Sequence, residues 1–315
     1  MDAQFTVTAA ESERPAEVVT TLKGTRSKAV LAVILVLLGL GGLAQQLVDL
    51  WALWTNDALR SFGLLLPLAA ICLGAMQFKS GDWNGQGSWW GFAAMAAAVA
   101  LAINSATHTP HFNFLFSGHL LPLHLLPVGA LLWLYFAGAV VLFGGRPALR
   151  RHRFPLILLL FVNPVPHAFT TLADLPLQAI GAQTARAFAQ WLAVPVNGDE
   201  LKLMFSPQLG MFVAPGCDGL RGAVALGYLA LIVGYLKRMR PMPWTLFVVG
   251  AVLLAYVFNL LRLCGVILYY WLALRIPVIS GSGTEVDYAI GGVLFFCAAL
   301  FLFGIPRLLQ PQVRS

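Results

Sequence analysis

Runs of about 20 apolar residues constrain the fold of this chain more than any other feature. A helix rises about 1.5 Å per residue, so about 20 residues cross the hydrocarbon of a bilayer. Hydrophobic residues are 59% of the 315 and charged residues only 10%. The sequence therefore predicts an all-α integral membrane protein with about eight transmembrane helices. They are placed near 29–48, 61–78, 90–107, 120–143, 154–172, 218–236, 244–270 and 287–305.

The positions of the basic residues predict the orientation in the membrane. Lys and Arg concentrate on the cytoplasmic side of membrane proteins. If both termini are cytoplasmic, that side collects every tight basic cluster, including Arg150–Arg153 and Lys237–Arg240. The excess of positive charge is therefore interpreted as a topology signal and does not indicate a partner nucleic acid. Residues 1–28 and 306–315 are expected to be cytoplasmic tails, the first of them disordered.

The large outer loop, residues 173–217, is predicted to contain a surface helix and a small cap of strands. Its first part has apolar residues at helical spacing, which is typical of an amphipathic helix lying along the membrane surface. These residues are Leu177, Ile180, Phe188, Trp191 and Leu192. The second part of the loop has short apolar segments separated by turn residues, which indicates short strands. The segments are Val194–Val196, Leu201–Phe205 and Leu209–Val213, with an Asn197-Gly198 turn after the first.

Ionisable and polar residues lie near the outer ends of three predicted spans. The sixth begins with Cys217, Asp218 and Arg221, the seventh carries Asn259 and Arg262 in its outer half, and the eighth begins near Glu285 and Asp287. Polar side chains at the edge of hydrocarbon are costly and are usually functional. Because the three groups share one membrane depth, we expect a compact polar pocket there.

The residue types favour nucleophilic catalysis by a thiolate. A cysteine at a helix N-terminus beside guanidinium groups ionises more readily, because the helix dipole and the cations stabilise the anion. Arg221 and Arg262 are suitable cations, and either could hold the oxyanion of a tetrahedral intermediate. The alternative is structural: a single membrane-edge cysteine is more often a small packing residue, and Arg221 could extend toward lipid headgroups.

The order of these motifs resembles the exosortase/archaeosortase family of membrane transpeptidases. The similar segments are Cys217-Asp-Gly-Leu-Arg221, Asn259-Leu-Leu-Arg262 and Asp287-Tyr-Ala-Ile-Gly291, with Gln178 and the Gly198-Asp-Glu200 turn before them. The family pattern is Cys-Ser-Gly-Leu-Arg, Asn-x-x-Arg and His-x-x-x-Gly. The resemblance implies that Cys217 is the nucleophile and Arg262 the essential arginine. Supporting roles are implied for Arg221, Asp218 and Asn259. It also implies that residues 173–305 form the catalytic region, after a five-helix membrane region at 29–172.

This chain departs from the family pattern at two positions. Asp218 replaces the family serine and Asp287 the family histidine. An ionised carboxylate beside the thiol opposes thiolate formation, and it does not donate a proton to a leaving amine as an imidazolium does. His108, His111 and His119 follow span three on the same predicted side as Cys217. We hypothesise that one of them substitutes for the missing imidazole, with Asp287 as a catalytic residue that orients it. The alternative is that they line the membrane interface.

The resemblance implies a cysteine protease or transpeptidase of a bacterial inner membrane, with its site on the periplasmic side. Its expected partners are secreted proteins with a C-terminal sorting signal, and its acceptor a membrane lipid or a polysaccharide. No cofactor or metal is expected. Two alternatives stay open: a catalytically weakened member that assists sorting or polysaccharide export, and a transporter or lipid-handling protein that uses Arg221 and Arg262 as an anion site.

Overall fold

The protein is described here by a computed structural model. It covers residues 30, 33–34, 36–57, 60–77, 87–107, 111–116, 119–124, 127–163, 167–207, 209–213 and 219–309. The helices are α1 Val36–Gly42, α2 Ala44–Asn56, α3 Leu65–Gln77, α4 Trp90–Thr107, α5 Val128–Arg151, α6 Arg153–Leu158, α7 His167–Trp191, α8 Leu220–Leu236, α9 Pro241–Ala273 and α10 Gly283–Leu309. The strands are β1 His111–Phe116, β2 His119–His124, β3 Lys202–Met204 and β4 Gly210–Phe212. The predicted N-terminal tail lies outside these residues, and α10 continues to Leu309 into the predicted C-terminal tail.

Several of the described helices are suited to a membrane. Within the described ranges, α5, α9 and the part of α10 from Gly283 to Gly304 are long and apolar enough to cross a bilayer. A bend of 65° separates α1 from α2, and the two together would make a fourth, broken span. Shorter apolar helices cover Ser61–Gln77, Trp90–Ser105 and α8. The protein is therefore a helical membrane protein, and the number of eight crossings stays a prediction.

The chain forms two compact units. The first contains the described residues up to Leu53, together with Gly63–Phe112 and His124–Asn163, and the second contains Trp54–Phe62, Asn113–Leu123 and the described residues from His167 onward. In the first unit α4 packs on α5 at Gly91 and Gly138, where a β-carbon on either glycine would lie within 3 Å of the other's carbonyl oxygen. Small residues permit such backbone contact between membrane helices.

The second unit is built around α9. Helices α8 and α10 pack against α9 and against each other, with Leu226, Ala230, Ala251 and Leu302 buried among them. Helix α7 and the β3–β4 hairpin pack against the later part of α9 through a separate core. Alanines are frequent in both cores, and such small residues let the helices approach closely.

Prolines explain where the predicted spans have wrong boundaries. The span predicted at 120–143 begins instead as strand β2, and α5 starts only at Val128, after Pro127. The single helix predicted at 154–172 is replaced by α6, a 3-10 helix at Leu159–Phe161, and α7 from His167. Proline removes a backbone donor and disfavours helical conformation in the preceding residue. Hydropathy alone does not register this effect.

Helix α7 includes the predicted surface helix, and its buried face overlaps only partly with the predicted apolar face. Among its residues with described burial, the buried ones share one side of the helix and are Gln178, Gly181, Ala182, Ala185 and Ala189. The three alanines belong to the core that includes Leu263 and Ile267 of α9. Of the predicted apolar face, Ile180 and Trp191 are exposed, whereas Phe188 and Leu192 pack against this core.

The predicted strand pair is confirmed. Strands β3 and β4 are antiparallel, and Lys202 pairs with Phe212, Leu203 with Met211 and Met204 with Gly210. The predicted turn at Asn197-Gly198 has a left-handed Gly198 with φ 113°, and Asn197 forms a bridge to Met204. Val194–Val196, predicted as a strand, has no strand pairing because the chain there follows the end of α7 directly.

Candidate active site

One cavity in the second unit brings together four of the polar residues singled out above. Its volume is about 420 Å³, within the range of small-molecule sites, and helices α8, α9 and α10 form most of its wall. Arg221 comes from the first turn of α8, Asn259 and Arg262 from α9, and Asp287 from the start of α10. Three helices thus contribute charged or amide groups to one end of a single cavity.

An ion pair connects α9 and α10 at this end. Arg262 Nε donates a hydrogen bond to Asp287 Oδ1 at 2.8 Å, and Arg262 Nη2 donates to Asp287 Oδ2 at 2.6 Å. Both side chains are partly buried, with 20% of Arg262 and 28% of Asp287 exposed. A guanidinium held at two atoms has a fixed direction as well as a fixed position. The pair therefore orients Arg262 toward the cavity wall.

Gly291 gives Arg262 the space for this conformation. A β-carbon at position 291 would lie 3.4 Å from both Cδ and Nε of Arg262. Gly291 is four residues after Asp287, so both lie on the same face of α10. One face of α10 thus supplies both the carboxylate that binds Arg262 and a glycine against which the Arg262 side chain lies.

Arg221 is the second cation of the cavity. It belongs to the first turn of α8, and its Nε is buried without a hydrogen-bond partner among the described residues. Buried polar atoms nearly always have a partner. An acceptor that enters the cavity is therefore expected to bind this guanidinium.

Other candidate residues lie outside this arrangement or outside the described ranges. Cys217, Asp218 and His108 are not among the described residues. His111 and His119 are the first residues of β1 and β2, which pair in a two-stranded sheet, and their side chains are outside the description. The three described cysteines, Cys72, Cys264 and Cys297, are free thiols. The roles predicted for Cys217, Asp218 and the three histidines therefore stay predictions.

The apolar part of the cavity is not predicted from the sequence. The cavity is also lined by Phe62, Leu226, Phe258, Phe295 and Gly292, which are not among the predicted site residues. Their signal in the sequence was weak, because an apolar residue in an apolar helix has no distinctive neighbours. For α10 the helical spacing from Asp287 to Phe295 and Ala298 could have identified the lining face.

Metal ligands do not cluster in the described part of the chain. No group of three or more His, Cys, Asp and Glu side chains there could hold a metal ion. The polar groups that line the cavity are two guanidinium groups, one amide and one carboxylate. These groups can bind and polarise a carbonyl or hold an anion.

Comparison with known proteins assigns the chain to a family. A family model described as transmembrane exosortase matches residues 54–305. The chain belongs to the transmembrane exosortase family. This family is one of membrane proteins that are generally cysteine transpeptidases. No curated protein and no solved structure matches the exosortase chain.

Proposed function

We propose that this exosortase is a membrane cysteine transpeptidase that cleaves C-terminal sorting signals of secreted proteins through a thioester at Cys217. The observation that carries the proposal is the cavity in which Arg221, Asn259 and the Arg262–Asp287 pair meet beside Gly219. Arginines in a partly buried cavity suit the binding of a peptide carbonyl whose oxygen becomes negative during attack.

The position of Cys217 in the sequence supports it as the proposed nucleophile. Gly219 lines the cavity together with Arg221 and Arg262, and Cys217 precedes Gly219 by two residues. Two residues span at most about 7 Å of chain. We therefore propose that the thiol acts at the charged end of this cavity.

The proposed reaction has two steps. The Cys217 thiolate attacks the carbonyl carbon beside the sorting motif, the S–C bond forms, and Arg221 or Arg262 stabilises the oxyanion. The C–N bond then breaks, the leaving amine takes up a proton, and the secreted protein remains as a thioester. An amine or hydroxyl of the acceptor, or water, attacks the thioester carbonyl, loses its proton and releases Cys217. We propose a membrane lipid or a polysaccharide as acceptor.

The proton for the leaving amine needs a donor other than Asp287. Both carboxylate oxygens of Asp287 accept hydrogen bonds from Arg262. A carboxylate bound in this way is an ionised acceptor, and it has no proton to give. His108, His111 and His119 remain the proposed sources, because an imidazole changes its protonation state near neutral pH. The site is proposed to face the periplasm of a bacterial inner membrane, with both termini cytoplasmic.

Processing in cells tests the proposal. Cys217→Ala is expected to abolish processing, so that secreted proteins with a C-terminal apolar segment accumulate as uncleaved precursors detected by mass spectrometry of the membrane fraction. Cys297→Ala is the matched control, since Cys297 lies in α10 and does not line the cavity. A hydroxylamine-sensitive adduct on Cys217 of the wild-type protein is also expected. Normal processing by Cys217→Ala would refute the proposal.

A second candidate is favoured by the same ion pair. Because Asp287 is engaged by Arg262, this exosortase lacks a proton donor at the position of the family histidine. A weakened member would bind sorting signals without turning them over, and it would assist sorting or polysaccharide export. Cys217→Ala would then retain full biological activity, while Arg221→Ala would lose it.

A further inference from the structure

The cavity has one charged end and one apolar end. Arg221, Asn259, Arg262 and Asp287 stand at the first. The second is lined by Leu226, Phe258, Leu294, Phe295 and Ala298. Along α10 the lining residues run from Asp287 to Ala298, which corresponds to about 16 Å of helix. The cavity is therefore an elongated amphiphilic site, and a compact anion would fill only its first part.

The direction of the cavity matches the direction of a membrane substrate. Asp287 lies near the start of the candidate span Gly283–Gly304, whereas Leu294 and Phe295 lie near its middle. The charged end is thus close to one boundary of the span and the apolar end is deeper. A peptide bound with its reacting carbonyl among the guanidinium groups would direct an attached apolar segment along α10.

Two glycines that line the cavity have open space around them. A β-carbon at Gly292 would meet nothing within 4 Å, and one at Gly222 would meet only Ala255 Cβ at 4.0 Å. This distinguishes them from Gly291, where an added carbon would press on Arg262. Side chains at 222 and 292 would therefore occupy cavity space while leaving the ion pair in place.

We propose that the apolar end is a subsite for large apolar side chains that follow the scissile bond, and that Gly222 and Gly292 set its width. The inference rests on the proposed function, because the occupant is the sorting signal that Cys217 would attack. It adds a selectivity for residue size on the leaving side of the cleaved bond. Gly292 and Phe295 are exposed on α10, so the subsite is accessible along the side of that helix.

Labelling of Cys217 with maleimides of different size tests the subsite without a peptide substrate. N-ethylmaleimide and N-cyclohexylmaleimide react with the thiolate alike, and they differ in the apolar group that must fit beside it. The rate constant of each at Cys217 is measured by mass spectrometry on the purified full-length protein. Gly304→Leu is the matched control, because Gly304 is an exposed glycine of α10 with nothing within 4 Å and lies outside the cavity lining.

Gly292→Leu is expected to lower the N-cyclohexylmaleimide rate constant about tenfold relative to Gly304→Leu, a size effect typical of an apolar pocket. The N-ethylmaleimide rate constant is expected to stay within about twofold. Gly222→Val on α8 should act in the same direction, which guards against a folding defect in one variant. Equal rate ratios in both cavity variants and the control would overturn the subsite. That result would leave the proposed function to its own test, the processing defect of Cys217→Ala.

Discussion

Gly219 lies directly against Asn259. A β-carbon on Gly219 would be 3.0 Å from Asn259 Nδ2 and 3.1 Å from its Cβ and Cγ, and Gly219 has a left-handed backbone with φ 83° at the N-cap of α8. The contact therefore holds the turn after Cys217 against the helix that carries Arg262.

Gly219→Ala tests this link. The new methyl group both requires a left-handed alanine, which costs about 1–2 kcal/mol, and pushes on Asn259. We expect a lower thermal stability in detergent and a several-fold slower alkylation of Cys217. Gly227→Ala is the control, since its β-carbon would make an ordinary 3.4 Å contact with Val252. Equal alkylation rates in the two variants would contradict a positioning role for Gly219.

Asp287→Asn tests the ion pair. The amide of asparagine offers Arg262 one acceptor oxygen, whereas the carboxylate offers two, and the amide carries no negative charge. We therefore expect the free energy of unfolding to fall by about 2 kcal/mol. Processing of precursors should fall at least tenfold, because Arg262 loses its fixed orientation. Glu285→Gln changes an exposed carboxylate of the same helical turn outside the cavity lining and should have neither effect. Full processing by Asp287→Asn would show that the orientation of Arg262 is unimportant.

Gly291→Ala separates orientation from charge. Its β-carbon would lie 3.4 Å from both Cδ and Nε of Arg262, in van der Waals contact with the arginine, while the ion pair remains possible. We expect processing to slow several-fold with little change in thermal stability. Gly304→Ala, in open space on the same helix, should leave processing unchanged and slightly stabilise α10. Identical processing rates would argue against a close fit between α10 and Arg262.

Leu203→Ala tests whether the β3–β4 hairpin stabilises the second unit. Leu203 is 0% exposed and packs in the core shared with α7 and α9. Truncating a buried leucine costs about 2–5 kcal/mol through lost burial and the remaining void. We expect a clear drop in the unfolding midpoint, whereas Phe212→Ala, at a residue 57% exposed, should change it little. Comparable midpoints for both variants would mean that the hairpin packs weakly.

The histidine hypothesis has a simple test. His108→Ala, His111→Ala and His119→Ala are made separately, and we expect one of them to abolish processing, because Asp287 is engaged by Arg262 and gives no proton. His124→Ala serves as the control at the end of β2. If all three variants process precursors at the wild-type rate, the leaving amine is protonated from another source.

The sequence predicted elements well where one local signal dominated. Apolar runs identified α3, α4 and α8 almost to the residue, and alternation with turns identified β3 and β4. Prolines near 122–127 and 164–166 competed with hydropathy and moved the boundaries of α5 and α7. The buried face of a helix was harder to predict from the sequence. Helix α7 packs through alanines, and hydrophobicity scales rank alanine well below the large apolar residues.

The partner of Asp287 was beyond the reach of sequence reasoning. Membrane depth placed Arg262 and Asp287 at one level, but the rotation of α9 and α10 about their axes decides which side chains face each other. The sequence pattern predicts that Asp287 orients a histidine, and the structure pairs it with an arginine 25 residues earlier. Such rotations depend on the packing of many small residues along both helices, including Gly291.

Helices α8, α9 and α10 follow one another in the chain, and together they form most of the cavity wall. During synthesis the cation of Arg262 is therefore made before the anion of Asp287 exists to neutralise it. The ion pair between Arg262 and Asp287 therefore cannot form until α10 has been made. The cavity wall is completed only by the last of these three helices.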